Sequence, residues 1–289
     1  MTTTTIASVA EHHRSALLGV AYRLLGSVAD AEDAVQEAFV RLEGHGLEGL
    51  DNVGGWLQRV TSRICLDRLR SAMVRREVYV GPWLPEPLVT DHERDDPVEQ
   101  EESVAMAFLV VLESLSPAER VAFVLHDVFG FDHAELADIL DRSPAACRQL
   151  VSRARSQVRA RQPRFETDAA TRAEVAQRFL EAARTGEVIE LLAVLAPDVV
   201  MQADGGGKVA AVRKPLHGAL RVARFLAGLG RKAPPDVIVE VAMLNGTPGM
   251  LVRHADGTPE SAFVLDVADG HVVGVNVVRN PDKLAHLRA

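Results

Sequence analysis

The spacing of apolar residues changes once along this 289-residue chain, at Gln162-Pro163, and that change limits what it can fold into. Before it, apolar residues recur at helical intervals. Ala16, Leu17, Val20, Ala21, Leu24 and Leu25 predict a helix over 7–25, and Ala31, Ala34, Val35, Ala38, Phe39 and Leu42 a second over 29–42. Trp56 opens a third, through Arg76. After it, two predicted helices (171–185 and 187–195) precede short alternating runs. Strands are expected at 199–203, 209–212, 237–244, 249–254, 261–267 and 271–278, with a helix at 218–229. Asn245-Gly, Asp256-Gly and Asp269-Gly separate the last four strands, and these dipeptides favour two-residue hairpin turns. The expected architecture is multidomain, with all-α domains followed by an α+β cone.

Composition narrows the classes. Forty acids against 32 Lys and Arg leave a net charge of −8, which excludes a uniformly basic protein. No apolar run approaches the ~20 residues of a membrane span, and Met1–Ala10 lacks the basic and apolar regions of a secretory signal. Cys65 and Cys147 are the two cysteines and lack metal-ligand spacing. The expectation is a cytoplasmic protein with no membrane partner, metal or cofactor.

The charges are strongly segregated. Residues 59–76 hold six arginines (Arg59, Arg63, Arg68, Arg70, Arg75, Arg76) against Asp67. Residues 148–164 hold six (Arg148, Arg153, Arg155, Arg159, Arg161, Arg164) against no acid. Between them, 86–102 carries eight acids against Arg94. A solvated helix face explains one cationic helix. Two of them, nearly all arginine, fit two contacts with a polyanion, because the guanidinium fork suits phosphate and base edges.

Local signals place the second cationic stretch. A helix is expected over 103–115, and Ser116-Pro117 with Glu119 starts another that runs to Val128. Asp132 caps a short helix over 133–140, and Ser143-Pro144 begins the arginine-rich one, from Ala145 to Arg161. This is a helix-turn-helix pattern. Its last helix turns Cys147, Leu150, Val151, Ala154 and Val158 inward and Arg148, Gln149, Ser152, Arg153, Ser156 and Arg159 outward. In Gly81-Pro-Trp-Leu-Pro-Glu-Pro-Leu88, three prolines rule out a helix. Trp83, Leu84 and Leu88 are too apolar for a plain solvated linker and need a surface to rest on.

Asp30-Ala-Glu-Asp-Ala-Val-Gln-Glu-Ala-Phe-Val-Arg-Leu42, Trp56-Leu and Leu66-Asp-Arg-Leu-Arg70 resemble region 2 of bacterial sigma factors. Leu115-Ser-Pro-Ala-Glu-Arg-Val-Ala-Phe-Val-Leu-His126 and Cys147-Arg-Gln-Leu-Val-Ser-Arg-Ala-Arg155 resemble region 4. Regions 2 and 4 alone are the pattern of extracytoplasmic-function (ECF) sigma factors. The C-terminal part is similar to SnoaL-like domains. Trp83-Leu-Pro-Glu-Pro-Leu88, Asp204-Gly-Gly-Gly-Lys208 and Asn280-Pro-Asp-Lys-Leu284 resemble the subgroup that fuses such a domain to the sigma core. The implied division is region 2 over 1–80, a linker over 81–102, region 4 over 103–162, a second linker over 163–170 and a SnoaL-like regulatory domain over 171–289. Ser62-Arg63 stands where many members carry Arg-Asn, so a −10 base preference is not carried over.

The resemblance implies that Asp30, Glu32, Asp33, Gln36 and Glu37 bind the clamp helices of the β′ subunit of core RNA polymerase. Arg63, Asp67 and Arg70 would face the −10 element of promoter DNA, with Arg75 and Arg76 on phosphate. Arg148, Gln149 and Ser152 would read −35 base edges, and Arg153, Arg155 and Arg159 would hold the backbone. Trp83, Leu84 and Pro85, with Asp204, Gly205, Gly206, Gly207 and Lys208 and with Asn280, Pro281, Asp282, Lys283 and Leu284, would form a regulatory contact between domains. The Asp204–Lys208 loop is too short for a Walker motif. The cone leaves room for a small-molecule ligand, and His217, His254, Asp266 and His271 are its candidate acid–base groups. Two rivals remain. A ligand-responsive repressor or activator would leave the acidic second helix and the 56–76 helix without a role, and an enzyme with a nucleic-acid appendage draws support from the cone alone.

Overall fold

The structure is a computed structural model, and it describes residues 6–76, 78–90, 105–161, 168–232 and 236–288; the side chains of 74–76, 161 and 169 also lie outside the description. The chain forms two units, one of 1–78 with 111–162, the other of 79–110 with 163–289.

The first unit is helical. α1 (Ile6–Leu25), α2 (Val28–His45) and α3 (Val53–Arg76) pack together with Leu17, Val20, Leu24, Ala34, Ala38, Leu42 and Leu57 almost fully buried, whereas Ala16, expected on the first stripe, is exposed because it starts the turn before the packed part of α1. Ser27 caps α2 by accepting from the Asp30 N–H at 3.2 Å. Of the helix expected over 103–115, the structure shows α4 (Met106–Leu112), which runs from the second unit into the first and gives way to a turn over 113–115; residues 103–104 lie outside the description.

α5 (Pro117–Phe123) opens with a capping box in which the Ser116 hydroxyl and the Glu119 carboxylate satisfy each other's backbone N–H groups. The α-helix predicted to reach Val128 does not do so: Val124–Val128 is a π-helix. The Phe129 N–H donates to the Val124 carbonyl at 3.3 Å, and the wider turn lets the chain reverse at Gly130 while Leu125 and Phe131 stay buried. α6 (His133–Leu140) has a second capping box, Asp132 with Glu135, and α7 (Pro144–Arg161) starts with Ser143 accepting from the Ala146 N–H at 3.2 Å.

In the second unit, α8 (Ala169–Thr185), α9 (Val188–Val194) and α10 (Ala219–Gly230) accompany a six-stranded sheet. Its strands are β1 (Leu195–Asp204), β2 (Leu216–His217), β3 (Val237–Leu244), β4 (Thr247–His254), β5 (Pro259–Ala268) and β6 (His271–Val278), in the order β2-β1-β6-β5-β4-β3. Only β1–β6 is parallel. Residues 209–212, expected as a strand, have no regular structure; the short pairing falls at Leu216–His217 instead. At Asn245-Gly246 and Asp269-Gly270 both residues have positive φ, the conformation of the predicted hairpin turns.

One face of the sheet buries Met201, Met250, Leu265 and Val275 against Phe179, Val222 and Leu226. The other buries Ala262, Val264 and Val278 against Leu84, Met106, Leu284 and Leu287, the last two from α11 (Pro281–Leu284) and the 3-10 turn after it.

Of the four expected acid–base groups, His217, His271 and Asp266 do not line the helix-covered core, and His254 is half-buried near the end of β4. His217 and His271 are exposed, and Asp266 shares its face with Ala262 and Val264, because side chains alternate along β5. Asp266 accepts from Asn276 Nδ2 at 2.9 Å, and burial pushes its carboxyl up to about 6. A carboxyl raised on folding favours its protonated form in the native state, so the native state holds the extra proton between about pH 4 and 6. Stability therefore falls as pH rises through that window and stays lower above it. Asp266→Asn removes the loss: the variant should exceed the parent by about 2–3 kcal/mol at pH 7 and match it near pH 4. Urea unfolding at the two pH values checks this, and an equal difference at both would contradict it.

Candidate functional sites

Three surfaces gather the residues singled out above. The first is the acidic side of α2. Asp30, Asp33 and Glu37 converge on Arg68 of α3, at 3.8, 3.6 and 3.5 Å, and Glu37 also pairs with Arg41 at 2.6 Å. Glu32 and Gln36 stay exposed. Part of this acidic face is thus neutralised from within the unit. Arg68 sits in the sequence as one arginine among six, and no local signal separates it from the others.

The second surface runs from α3 to α7. On α3, Arg63, Asp67 and Arg70 are exposed, while Ser62 is buried and donates to the Gln58 carbonyl at 2.7 Å. Arg63 donates to the backbone carbonyl of Asp138 on α6, and Asp67 pairs with Arg70 at 3.2 Å. These three, with Leu66 and residues 139–142, line an open cleft of about 410 Å³. The Arg75 and Arg76 side chains lie outside the described residues.

On α7, Cys147, Val151, Ala154 and Val158 are buried, and Arg148, Gln149, Ser152, Arg153 and Arg159 are exposed. Burial raises the Cys65 and Cys147 thiols above the ordinary cysteine value, which keeps both unreactive. Arg155 is not free: it grips Asp127 of the π-helix, with Nε 2.9 and 3.0 Å from the two carboxylate oxygens and a further bond from its terminal nitrogen. That bond holds the Arg155 guanidinium above its ordinary value. Beside it, the His126 and His133 rings lie 4.5 Å apart, and burial with neighbouring positive charge holds His133 low. Beneath α7, Arg120 is 2% exposed and paired with Glu113, and burial pulls its guanidinium down to about 9.

The third surface lies in the second unit, around Asp204 at the end of β1. This carboxylate is fully buried and saturated. One oxygen accepts from the Tyr79 hydroxyl at 2.6 Å and the Gly206 N–H at 3.0 Å. The other accepts from the Leu84 N–H at 2.9 Å and Lys283 Nζ at 2.7 Å. Lys283, also buried, donates to the Leu84 carbonyl and lies 3.7 Å over the Trp83 ring.

Asn280 caps α11 and donates to the Tyr79 hydroxyl at 3.0 Å. Gly206 has φ +60°, and a Cβ there would lie 2.4 Å from Asn280 Nδ2, so both backbone shape and space demand glycine. Lys208 and Asp282 close the outside at 2.5 Å. Burial, with the bond to Asp204, holds the Tyr79 hydroxyl above its usual range. Downstream, His286 meets the Pro87 carbonyl at 2.8 Å, and the Leu88 N–H donates to Asn245 at 3.1 Å.

The three sequence motifs thus meet in one clasp on Asp204 and Lys283. Tyr79, Asn245 and His286 escaped the sequence reading. Tyr79 lies just outside the proline-rich stretch, and a hairpin asparagine is explained by its turn alone.

Residues 9–74 match the family described as Sigma-70 region 2, and residues 105–158 that described as Sigma-70, region 4. Two such regions on one chain define the class, a sigma factor of transcription initiation and not an enzyme. Over 282 residues the chain is 40% identical to "ECF RNA polymerase sigma factor SigJ" of Mycobacterium tuberculosis, covering 93% of this chain and 90% of that one. It is 33% identical over 286 residues to "Probable ECF RNA polymerase sigma factor SigI" of the same species, covering 96% and 94%. The crystal structure of Mycobacterium tuberculosis SigJ matches with a TM-score of 0.78 and 38% identity, over 96% of this chain and 98% of that one. The chain belongs to the ECF RNA polymerase sigma factor family.

Proposed function

We propose that α7 reads the −35 element and α3 the −10 element, while α2 docks on the β′ clamp helices of core polymerase. The carrying observation is the division of α7 into an apolar stripe, with Cys147, Val151, Ala154 and Val158 buried and Leu150 half-buried, and a face where Arg148, Gln149, Ser152, Arg153 and Arg159 are all exposed. Arg148 and Gln149 stand within the first turns after the Ser143 cap, where a recognition helix offers side chains to base edges. Arg155 takes a different part from the other arginines. Its grip on Asp127 makes it a brace of the helix-turn-helix that reaches phosphate only by giving up that pair.

On α2, Glu32 and Gln36 are the groups open to a basic partner, and Asp30, Asp33 and Glu37 must share with Arg68. Such charges set orientation and on-rate more than affinity. The Asp204–Lys283 clasp supports a further part of the reading. It ties the linker to the C-terminal domain and so lets that domain modulate the promoter-binding regions in cis, at the high effective concentration of a tethered contact. The site of action is the cytoplasm.

Run-off transcription with core polymerase tests the assignment. The full chain should give specific starts. Arg148→Ala should lower discrimination among −35 variants by about 1–3 kcal/mol, seen as unequal losses across the variants. Equal losses on every −35 variant would remove Arg148 from base reading, and absence of specific starts with the parent chain would remove the promoter assignment altogether.

A further inference from the structure

Two histidines beside the recognition helix have no part in the assignments above. His126 of the π-helix and His133 at the start of α6 lie with their ring centroids 4.5 Å apart. His126 Nδ1 is 2.6 Å from the Phe131 carbonyl, and a carbonyl only accepts, so Nδ1 carries the proton of that ring. His133 Nδ1 is buried and has no hydrogen-bond partner among the described residues. Nε2 is then the nitrogen of His133 left to an outside partner. The charged groups facing this ring come from its own helix, the π-helix and α7: Asp132, His126, Arg148 and Arg155. The acids nearby are already engaged. Asp127 holds Arg155, and Asp132 accepts from the Ala134 and Glu135 N–H groups, both at 2.8 Å, while Glu135 turns back to the Asp132 N–H at 2.9 Å. Burial, His126 and the two arginines hold His133 below its ordinary value, so the ring is uncharged at neutral pH in the free chain.

We propose that His133 contacts a phosphate of the −35 backbone through Nε2 and takes up a proton as it does so, which makes −35 affinity rise on acidification. This rests on the −35 reading of α7. In a helix-turn-helix the first helix crosses the sugar–phosphate backbone while the second enters the groove. Here α6 is the first helix, and His133 stands at its start beside Arg148, which is exposed on the base-reading side of α7. A phosphate at that point sets a negative charge against a ring that otherwise faces cations, and it favours the imidazolium with a charge-assisted bond from Nε2–H. The bound form then holds an extra proton between the free and bound values of His133. Affinity therefore increases as pH falls through that window and is level on either side of it. The arginines of the same surface stay charged throughout and supply no such dependence.

Promoter binding by the holoenzyme, followed by fluorescence anisotropy at constant ionic strength, tests this. The readout is the ratio of the dissociation constants at pH 8 and pH 6. In the parent it should be about three- to tenfold larger than in His133→Gln, which keeps a donor and does not titrate. The comparison cancels the pH response of the polymerase itself. A second measurement needs no variant. Single methylphosphonates, each removing one backbone charge, are placed in turn along the −35 element, and one of them should bring the parent's ratio down to that of His133→Gln. Equal ratios in parent and variant overturn the proposal, and so does a parental ratio that no methylphosphonate lowers. Absence of specific binding by the parent at both pH values would remove the −35 reading and the proposal with it.

Discussion

Lys283→Ala should destabilise the C-terminal unit by about 3–5 kcal/mol and release the linker, because it strands a buried carboxylate without its counter-charge. Asp204 is fully buried, and its remaining donors, Tyr79, Leu84 and Gly206, carry no positive charge. The loss also removes the cation over Trp83 and the bond to the Leu84 carbonyl, the two contacts that seat the proline-rich stretch. Trp83 and Trp56 are the two tryptophans of the chain, so in a Trp56→Phe background the fluorescence of Trp83 reports the clasp directly. Emission should shift to the red, and the thermal transition should move down.

A double substitution, Asp204→Asn with Lys283→Met, should recover part of the loss, since neither charge is then left alone. If the domain modulates transcription through the clasp, run-off yield should change in Lys283→Ala and return toward the parental level in the double variant. An unchanged yield alongside a red-shifted Trp83 would separate the clasp from regulation. An unshifted Trp83 would show that Lys283 does not hold the linker.

A loss of similar size, about 3–5 kcal/mol, is expected from Arg120→Ala, this time in the promoter-binding unit. Arg120 is 2% exposed and paired with Glu113, and its Nε makes no hydrogen bond among the described residues. Truncation removes the guanidinium beside the Glu113 carboxylate, itself 14% exposed, and opens a void there. Replacing both partners by apolar residues of similar volume, Arg120→Met with Glu113→Leu, should return stability to near the parental value or above it. Urea denaturation of the three proteins measures the contrast. Binding to −35 DNA should follow stability, because Arg120 lies on α5, which underlies α7, and contributes nothing to the exposed arginine face. A double variant as unstable as Arg120→Ala would mean that the ion pair itself, rather than the buried charge of Glu113 beside a void, carries the energy.

Much of this was legible in the chain because it depends on neighbours in sequence. Ser116, Asp132 and Ser143 cap helices where their side chains sit two or three residues before an orphan N–H. Asn245-Gly and Asp269-Gly make hairpins for a reason contained in two residues. The inward and outward sides of α7 follow from the helical period. The π-turn at Val124–Val128 and the missing strand at 209–212 were not legible. The first answers to the burial of Phe131, and the second to which segment reaches the edge of β1, both set by residues far along the chain.

The sequence by itself determined the helical modules, the cationic faces and the three motifs of the clasp, since period, caps and charge type are local properties. Only the tertiary structure decided which charges are already engaged. Arg68 and Arg155 look like their neighbours in the sequence, yet each is drawn to carboxylates on another element. Of two Asp–Lys pairs in the clasp, Asp204–Lys283 is buried and Lys208–Asp282 is half exposed. The strength of a charge pair depends on how much water surrounds it, and that is set by packing rather than by residue type.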